Sequence, residues 1–414
     1  MRILAITIQN FRKLLQCHIE FSEKTTLFVG ANNSGKTSAM DALGKFLADR
    51  NFNFNDITIS KRSAINKIGD SWIQEDSKEP TTLMEWESLV PKMDIWLDVE
   101  RDEIHYVANI IPTLKWRGGK LGTRLAFLPK DISKLFADYR EEYFAARRAE
   151  TAKKNVEIRL YPKNLCEFLE KNLNAYFSIK TYILDAAREE TEIPQETPFE
   201  MECFIDNPLK RIIKVDMIDA QRGFADPDNT EGTTKSQKQL SEQMRDYYEK
   251  HLDPEKLPSS EDLDILHAAE EARKAFDKNL VIKFRPAIQE LEGLGYPGMA
   301  DPKLTITTKM SMSETLKHDA AVQYTLSKND TTLKLPEKYN GLGYQNLISM
   351  VFDLMRFRDD WMREGKAKQA TRDSDRAIEP LHIVLIEEPE AHLHVQVQQV
   401  FIRKAYDVLT NHRF

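Results

Sequence analysis

Two short stretches near opposite ends of the chain carry residue types that handle phosphate. The first is Gly30-Ala31-Asn32-Asn33-Ser34-Gly35-Lys36-Thr37-Ser38, which fits the spacing GxxxxGK[ST]. Glycines in such a loop let successive backbone N–H groups turn inward as an anion nest, and the helix that follows adds the positive end of its dipole. Lys36 would reach the β- and γ-phosphates of a nucleotide, and Thr37 would offer its hydroxyl to Mg²⁺. The second stretch is Glu387-Glu388-Pro389, at the end of the apolar run Leu381–Ile386. Ligands of α/β sheets bind where strands end, and two carboxylates there can divide the labour. Glu387 is assigned to the metal and Glu388 to the general base that takes a proton from attacking water.

Each stretch needs an element to hold it. The run Thr25–Val29 is β-rich and ends at the first glycine; from Lys36, Met40, Leu43, Phe46 and Leu47 recur at helical spacing. Strand, loop, helix is the context in which the motif has meaning. Upstream, residues 3–8 read as a strand buried on both faces, and His18–Phe21 alternates. Residues 51–93 are polar and irregular, a surface excursion. Strands are then expected at Ile95–Val99, Val156–Tyr161, Ile179–Leu184 and Ile212–Ile218, with a helix over Ile132–Arg148. Ala225–Thr234 is turn and linker chemistry. Beyond it Leu240, Met244, Tyr247 and Tyr248 share a helical face. A second helix is expected from Ser259, with Asp262 as its capping-box partner. Strands return at Leu304–Thr308 and Val322–Leu326. A helix over Tyr344–Trp361, a polar loop over Arg363–Arg376, the strand Leu381–Ile386 and a last helix over Val395–Leu409 follow.

The 414 residues carry 59 Lys and Arg against 66 Asp and Glu, a net charge of −7, so contact with nucleic acid must come from local basic patches rather than from the chain as a whole. The best local patch is Arg356–Arg376, mixed with acids. No stretch approaches the ~20 apolar residues of a membrane span. The three cysteines are far apart and odd in number, which gives neither a disulfide framework nor a metal knuckle. A cytoplasmic protein without membrane contact is the expectation.

GANNSGKTS near one end, IEEPEAHLH near the other and the triplet Asn10-Phe11-Arg12 together resemble the ABC-type ATPases of the SMC and RecF group. Glu387 in place of the usual Asp, the EAHLH run and Tyr339–Leu347 most resemble the OLD (overcome lysogenization defect) family of ATP-dependent nucleases, several of which defend bacteria against phage. The resemblance implies an α/β fold: a two-lobed ABC-type P-loop ATPase with a helical insertion. Its lobes would be 1–223 and 297–414, and the insertion 224–296 a candidate dimer contact. It gives Asn340, Gly341, Gly343 and Gln345 the role of the signature that touches the partner subunit's ATP. His392 and His394 become the D-loop; two histidines alone lack the further ligands of a zinc site. Arg12 is placed to contact nucleotide or DNA, or else is a solvated arginine at a strand end.

The cofactors implied are ATP and Mg²⁺, and the partners a second copy of the chain, DNA and an effector protein. The family's further elements, a strand with a histidine and then a TOPRIM nuclease domain, would lie beyond Phe414. The function expected is the ATP-hydrolysing module of an OLD-like DNA endonuclease. The rival is a nuclease-free ATPase scaffold or sensor that clamps DNA or holds an effector.

Overall fold

β1 (Arg2–Phe11) is the strand on which the first part of the fold is built. In the computed structural model, seven consecutive residues of it, Ala5–Phe11, are buried. The described residues are 1–74, 80–152, 159–188, 194–203, 205–219, 240–256, 258–293, 323–325, 334–336, 341–363, 378–391, 393 and 395–410. β1 pairs on one edge with β2 (Leu14–Glu20). The expected helix α1 (Lys36–Gly44) follows the glycine loop. α2 (Ile59–Trp72) and the short α3 (Leu83–Glu87) come next, then β3 (Lys92–Val99), which takes the other edge of β1.

β4 (Gly119–Pro129), α4 (Ile132–Ala152), α5 (Leu165–Tyr176) and β5 (Phe177–Leu184) complete a five-stranded sheet of order β2-β1-β3-β4-β5. Every pairing in that sheet is antiparallel. Its core includes Ile6, Ile8, Leu43, Phe46, Ile95, Leu125 and Phe127. Phe52 stacks on Phe127 with ring centroids 4.4 Å apart. A charged group is buried in the sheet. Arg124, fully buried on β4, is held bidentately by Asp94 of β3 at 2.6 and 2.8 Å, and it donates to Thr197 at 3.0 Å. Burial would lower the Arg124 pKa, but the carboxylates of Asp94 and Glu87 outweigh it and raise it.

Three expectations are corrected. The stretch 51–93 is not a surface excursion: Phe52, Phe54, Ile57, Ile65, Ile68, Trp72 and Trp86 all enter the core. On α2 the apolar residues Ile65, Ile68 and Trp72 share one helical face, so polar residues elsewhere on the helix masked a packed element. Thr25–Val29 forms no strand, and Leu27 and Val29 are exposed. Its backbone is engaged locally instead. The Ser22 hydroxyl donates to the Thr25 carbonyl, and the Ser22 N–H donates to the Thr26 hydroxyl at 3.1 Å. Residues 159–161 of the expected strand Val156–Tyr161 are not extended into a sheet, and the rest of that run lies outside the described residues. β4 and α5 were not anticipated at all.

β6 (Ile213–Ile218) closes this part of the chain, and α6 (Leu240–Tyr247) opens the next. α7 (Asp262–Gly293) is capped as anticipated: the Ser259 N–H and hydroxyl each donate to the Asp262 carboxylate at 2.8 Å. β7 (Gln323–Thr325) and β8 (Lys334–Pro336) pair antiparallel. α8 (Leu342–Met362), β9 (Leu381–Ile386) and α9 (Val395–Thr410) follow. Ala225–Thr234, Leu304–Thr308 and most of Arg363–Arg376 lie outside the described residues.

The chain packs as two units. One is Met1–Met217 with Glu379–Glu387, the other Ile218–Ile378 with Glu388–Phe414. β9 belongs to the first, where it pairs with β6 and sends Leu385 into the core. In the second, Met350, Leu354, Phe357 and Trp361 form the buried stripe of α8, against which α9 packs. α6 and the turn after it hold the polar side of α8: Gln243 meets Ser349 at 2.7 Å, Tyr247 donates to Asp359 at 2.6 Å, and Lys250 and His251 face Asp360.

Burial pushes the Asp360 carboxyl up, but contacts from His251 and Lys250 outweigh it and leave it at about 2. A lowered carboxyl stabilises the folded state above the ordinary carboxylate range and loses that contribution as pH falls through about 2. In acid titration of the chain followed by circular dichroism, wild type is therefore expected to lose stability progressively as pH falls from the ordinary carboxylate range to about 2, whereas Asp360→Asn, less stable at neutral pH, should lose less over that window. An unchanged acid limb in the variant would show that this contact is not the one titrating.

Candidate functional site

The glycine loop is built as its spacing demands. Gly35 has φ 103° and is the residue from which α1 starts, a conformation that glycine adopts without penalty. Asn33, at φ 68°, is a second left-handed residue, of a type that tolerates it. Two backbone contacts shape the turn and the helix start: Ser34 N–H to Ala31 O at 3.2 Å, and Ala39 N–H to Gly35 O at 2.9 Å. Gly30 packs so closely on Ser34 that an added Cβ would lie 2.7 Å from its hydroxyl. Gly30, Ala31, Asn32, Asn33 and Ser34 are exposed, Gly35 and Lys36 half-buried, Thr37 exposed and Ser38 buried. The Lys36 ammonium donates to the carbonyls of Gly30 and Ala31, at 2.5 and 3.0 Å. It therefore spans the mouth of the loop, with neutral oxygens as its partners.

β9 delivers Glu387 to this loop. The Thr37 hydroxyl donates to the Glu387 carboxylate, so the two residues assigned to the metal from sequence are brought together. A hydroxyl and a carboxylate side by side suit a hard cation that keeps most of its ligands as water and phosphate oxygens, as Mg²⁺ does. Among the described residues no cluster of three or more His, Cys, Asp or Glu offers an all-protein metal cage. On β9, the strand that leads to Glu387, His382 meets Asp216 of β6 at 2.8 Å, and Lys214 meets the same carboxylate at 3.1 Å. That polar ladder joins the two strands and helps fix where β9 ends.

In the second unit, Glu388 is exposed, has φ 44°, and begins a turn in which the Ala391 N–H donates to its carbonyl at 3.0 Å. A non-glycine residue in the left-handed region at a strand end marks strain held by its surroundings. Gly341 is the N-cap of α8 and is exposed, Gly343 lies in the first turn, and the buried Gln345 closes that turn by donating its N–H to Gly341 O at 3.2 Å. Asn346, next along, donates to Ala391 O at 2.7 Å, tying the start of α8 to the turn after Glu388. Asn340, His392 and His394 lie outside the described residues.

Arg12 is placed differently from either sequence reading. Its Nε donates to Asp56 at 2.9 Å and its Nη1 to Asp41 of α1, while its N–H donates to Asp56 O at 2.8 Å. Burial alone would lower the Arg12 pKa, but these carboxylates outweigh it and raise it. Asp56 is fully buried and also receives Lys45, the residue just after α1, at 3.3 Å. Asn10, at φ 54°, donates to the Ser88 and Val90 carbonyls at 3.1 and 3.3 Å. The Asn-Phe-Arg triplet thus fastens the end of β1 to the helix of the loop. Asp41 and Asp56 were missed from sequence; two acids within a helix and a turn carry no local mark of a shared arginine.

Arg12→Ala leaves the buried Asp56 short of a partner, at a cost of about 1–3 kcal/mol. A lowered urea midpoint is expected, and Arg12→Lys should recover part of it; equal midpoints for Arg12→Ala and wild type would sink the clamp.

The chain matches the model of the AAA ATPase domain over residues 1–413. It is 20% identical over 412 residues to Endonuclease GajA of Bacillus cereus strain HuB5-5, covering 95% of this chain and 50% of that protein. It is 37% identical over 71 residues to the DNA replication and repair protein RecF of Marinobacter nauticus, covering 17% of this chain and 18% of that one. The chain thus spans about half the length of the first of these relatives. A structure solved in work on ATP-driven dimerization and DNA-stimulated activation of SMC ATPases overlaps 30% of this chain and 63% of that one at 19% identity, with a TM-score of 0.19, too low to carry an argument. With the family match running almost end to end, and with a P-loop whose threonine meets a strand-end carboxylate, this chain belongs to the AAA ATPase domain family.

Proposed function

We propose that the chain is the ATP-binding and ATP-hydrolysing module of an OLD-like DNA endonuclease, with nucleotide state gating nuclease action in bacterial defence against phage. The observation that carries the ATPase part is the contact between Thr37 and Glu387 beside the exposed loop. The nuclease part is supported by the similarity of nearly the whole chain to half of an endonuclease.

In this reading Gly30 to Ser38 bind the phosphates, and Lys36 exchanges its two carbonyl partners for phosphate oxygens. Thr37 and Glu387 hold Mg²⁺, which when bound offsets the charge that builds on the transferred phosphoryl group. Glu388 takes the proton from water. Asn340, Gly341, Gly343 and Gln345 read the ATP of a second chain, with His392 and His394 as the D-loop. Two lobes, a helical insertion over 224–296 that pairs the chains, and DNA as the ligand complete the picture. Leu263, Phe276 and Ile282 of α7 are exposed apolar residues that such pairing would cover. The short RecF match favours the second reading, an ATPase scaffold on DNA without a nuclease. No described helix is long and apolar enough to cross a membrane.

Lys36→Ala is expected to lose tight MgATP binding in titration calorimetry. Glu388→Gln should bind ATP as wild type does yet hydrolyse it about 10²–10⁴-fold more slowly, the range for a lost general base. Glu387→Gln should instead raise the Mg²⁺ concentration needed for half-maximal turnover; identical metal titrations for the two glutamine variants would break the division of roles.

A further inference from the structure

The turn between β1 and β2 lies against the phosphate loop residue by residue. Arg12 is held by Asp41 of α1. Leu14 packs on Gly35 so closely that a Cβ there would lie 2.9 Å from its Cδ2. Between them, the Lys13 ammonium reaches the side-chain oxygen of Asn33 inside the loop. The charges of the two basic residues differ in fate. The guanidinium of Arg12 is neutralised by two carboxylates, Asp41 and Asp56. Lys13 has a neutral amide oxygen as its described partner. Its neighbours on either side anchor the turn, so its ammonium is delivered to the rim of the loop by a backbone fixed at both flanks.

We propose that Lys13 is a second phosphate-binding lysine of this loop, leaving Asn33 to pair with the polyphosphate of a bound nucleotide opposite Lys36. The proposal rests on the ATP-binding reading above and goes one residue further. The exchange is favourable in sign: an ammonium–amide contact gives way to an ammonium–phosphate one, charge-assisted on both sides. Lysine suits the task because its charge is compact and its stem is long enough to swing from one oxygen to another. Arg12 cannot serve in its place without stripping the buried Asp56 of a partner. The same turn therefore carries one cation for structure and one for ligand.

The test is titration of the full chain with MgATP, comparing wild type, Lys13→Met, Lys13→Arg and Lys36→Ala at low and raised salt. Lys13→Met, which keeps the stem and removes the charge, is expected to weaken binding about tenfold at low salt, the size of one solvent-facing ion contact. That deficit should shrink as salt screens the pair, and Lys13→Arg should recover most of it. The unfolding midpoint without nucleotide should not move, whereas a residue that merely braced Asn33 would shift it. Wild-type affinity in Lys13→Met together with lost binding in Lys36→Ala would overturn the proposal and leave the ATP-binding reading standing. An arginine variant no better than methionine, or a lowered midpoint, would also overturn it. Wild-type affinity in Lys36→Ala would overturn both.

Discussion

A fully buried carboxylate, Asp56, is the constraint around which the first unit is arranged. Taking a charge out of water costs several kcal/mol unless partners meet it. Here they come from two directions: Arg12 at the end of β1, and Lys45 at the far end of the helix that follows the phosphate loop. Arg12 also turns its Nη1 to Asp41 of that same helix. The electrostatic need of one acid thus ties the central strand of the sheet to α1, and through α1 to the loop. The loop itself has little burial to hold it, since most of its residues face solvent. Its position is inherited from a charge cluster packed below it.

The strand end at Glu387 and the start of α8 are held by different physics. Thr37 and Glu387 meet within the first unit, and β9 is placed there by apolar burial of Leu385 and by the polar ladder His382–Asp216–Lys214. In the second unit α8 is apolar on one side and salt-bridged or hydrogen-bonded on the other. The start of α8, where Gly341 and Gly343 stand, is pinned by Asn346 to the turn after Glu388.

Legibility followed how local each determinant is. The glycine loop was readable because left-handed backbone at Gly35 calls for glycine, and β9 because a run of apolar residues, broken only by His382, ends in two acids. The Ser259–Asp262 cap was readable because its partners are three residues apart. Thr25–Val29 was misread because β propensity says nothing about whether a neighbouring strand is free to pair. β4 was missed because Thr123 and Arg124, polar residues in the middle of it, are both fully buried, and a sequence pattern assigns such residues to solvent. Arg12 was misplaced because Asp41 and Asp56, which decide its role, announce nothing in their own surroundings. What the sequence hid throughout was pairing between residues far apart along the chain.

The buried pair Asp94–Arg124 has a consequence for how the sheet assembles. The two residues face each other directly across β3 and β4. Sliding one strand past the other by a single residue would put the two charges on opposite faces of the sheet. The same slip would carry the core residues Met93, Ile95 and Leu97 off the core face, and the ions add to that cost the penalty of a buried charge left unpaired. Ion pair and apolar pattern thus enforce one register together. The connection between these strands, from Glu100 to Gly118, is held by a different means: Val107 and Ile110 are buried in the core, so it is anchored by apolar burial while the ion pair sets the step in which the strands meet.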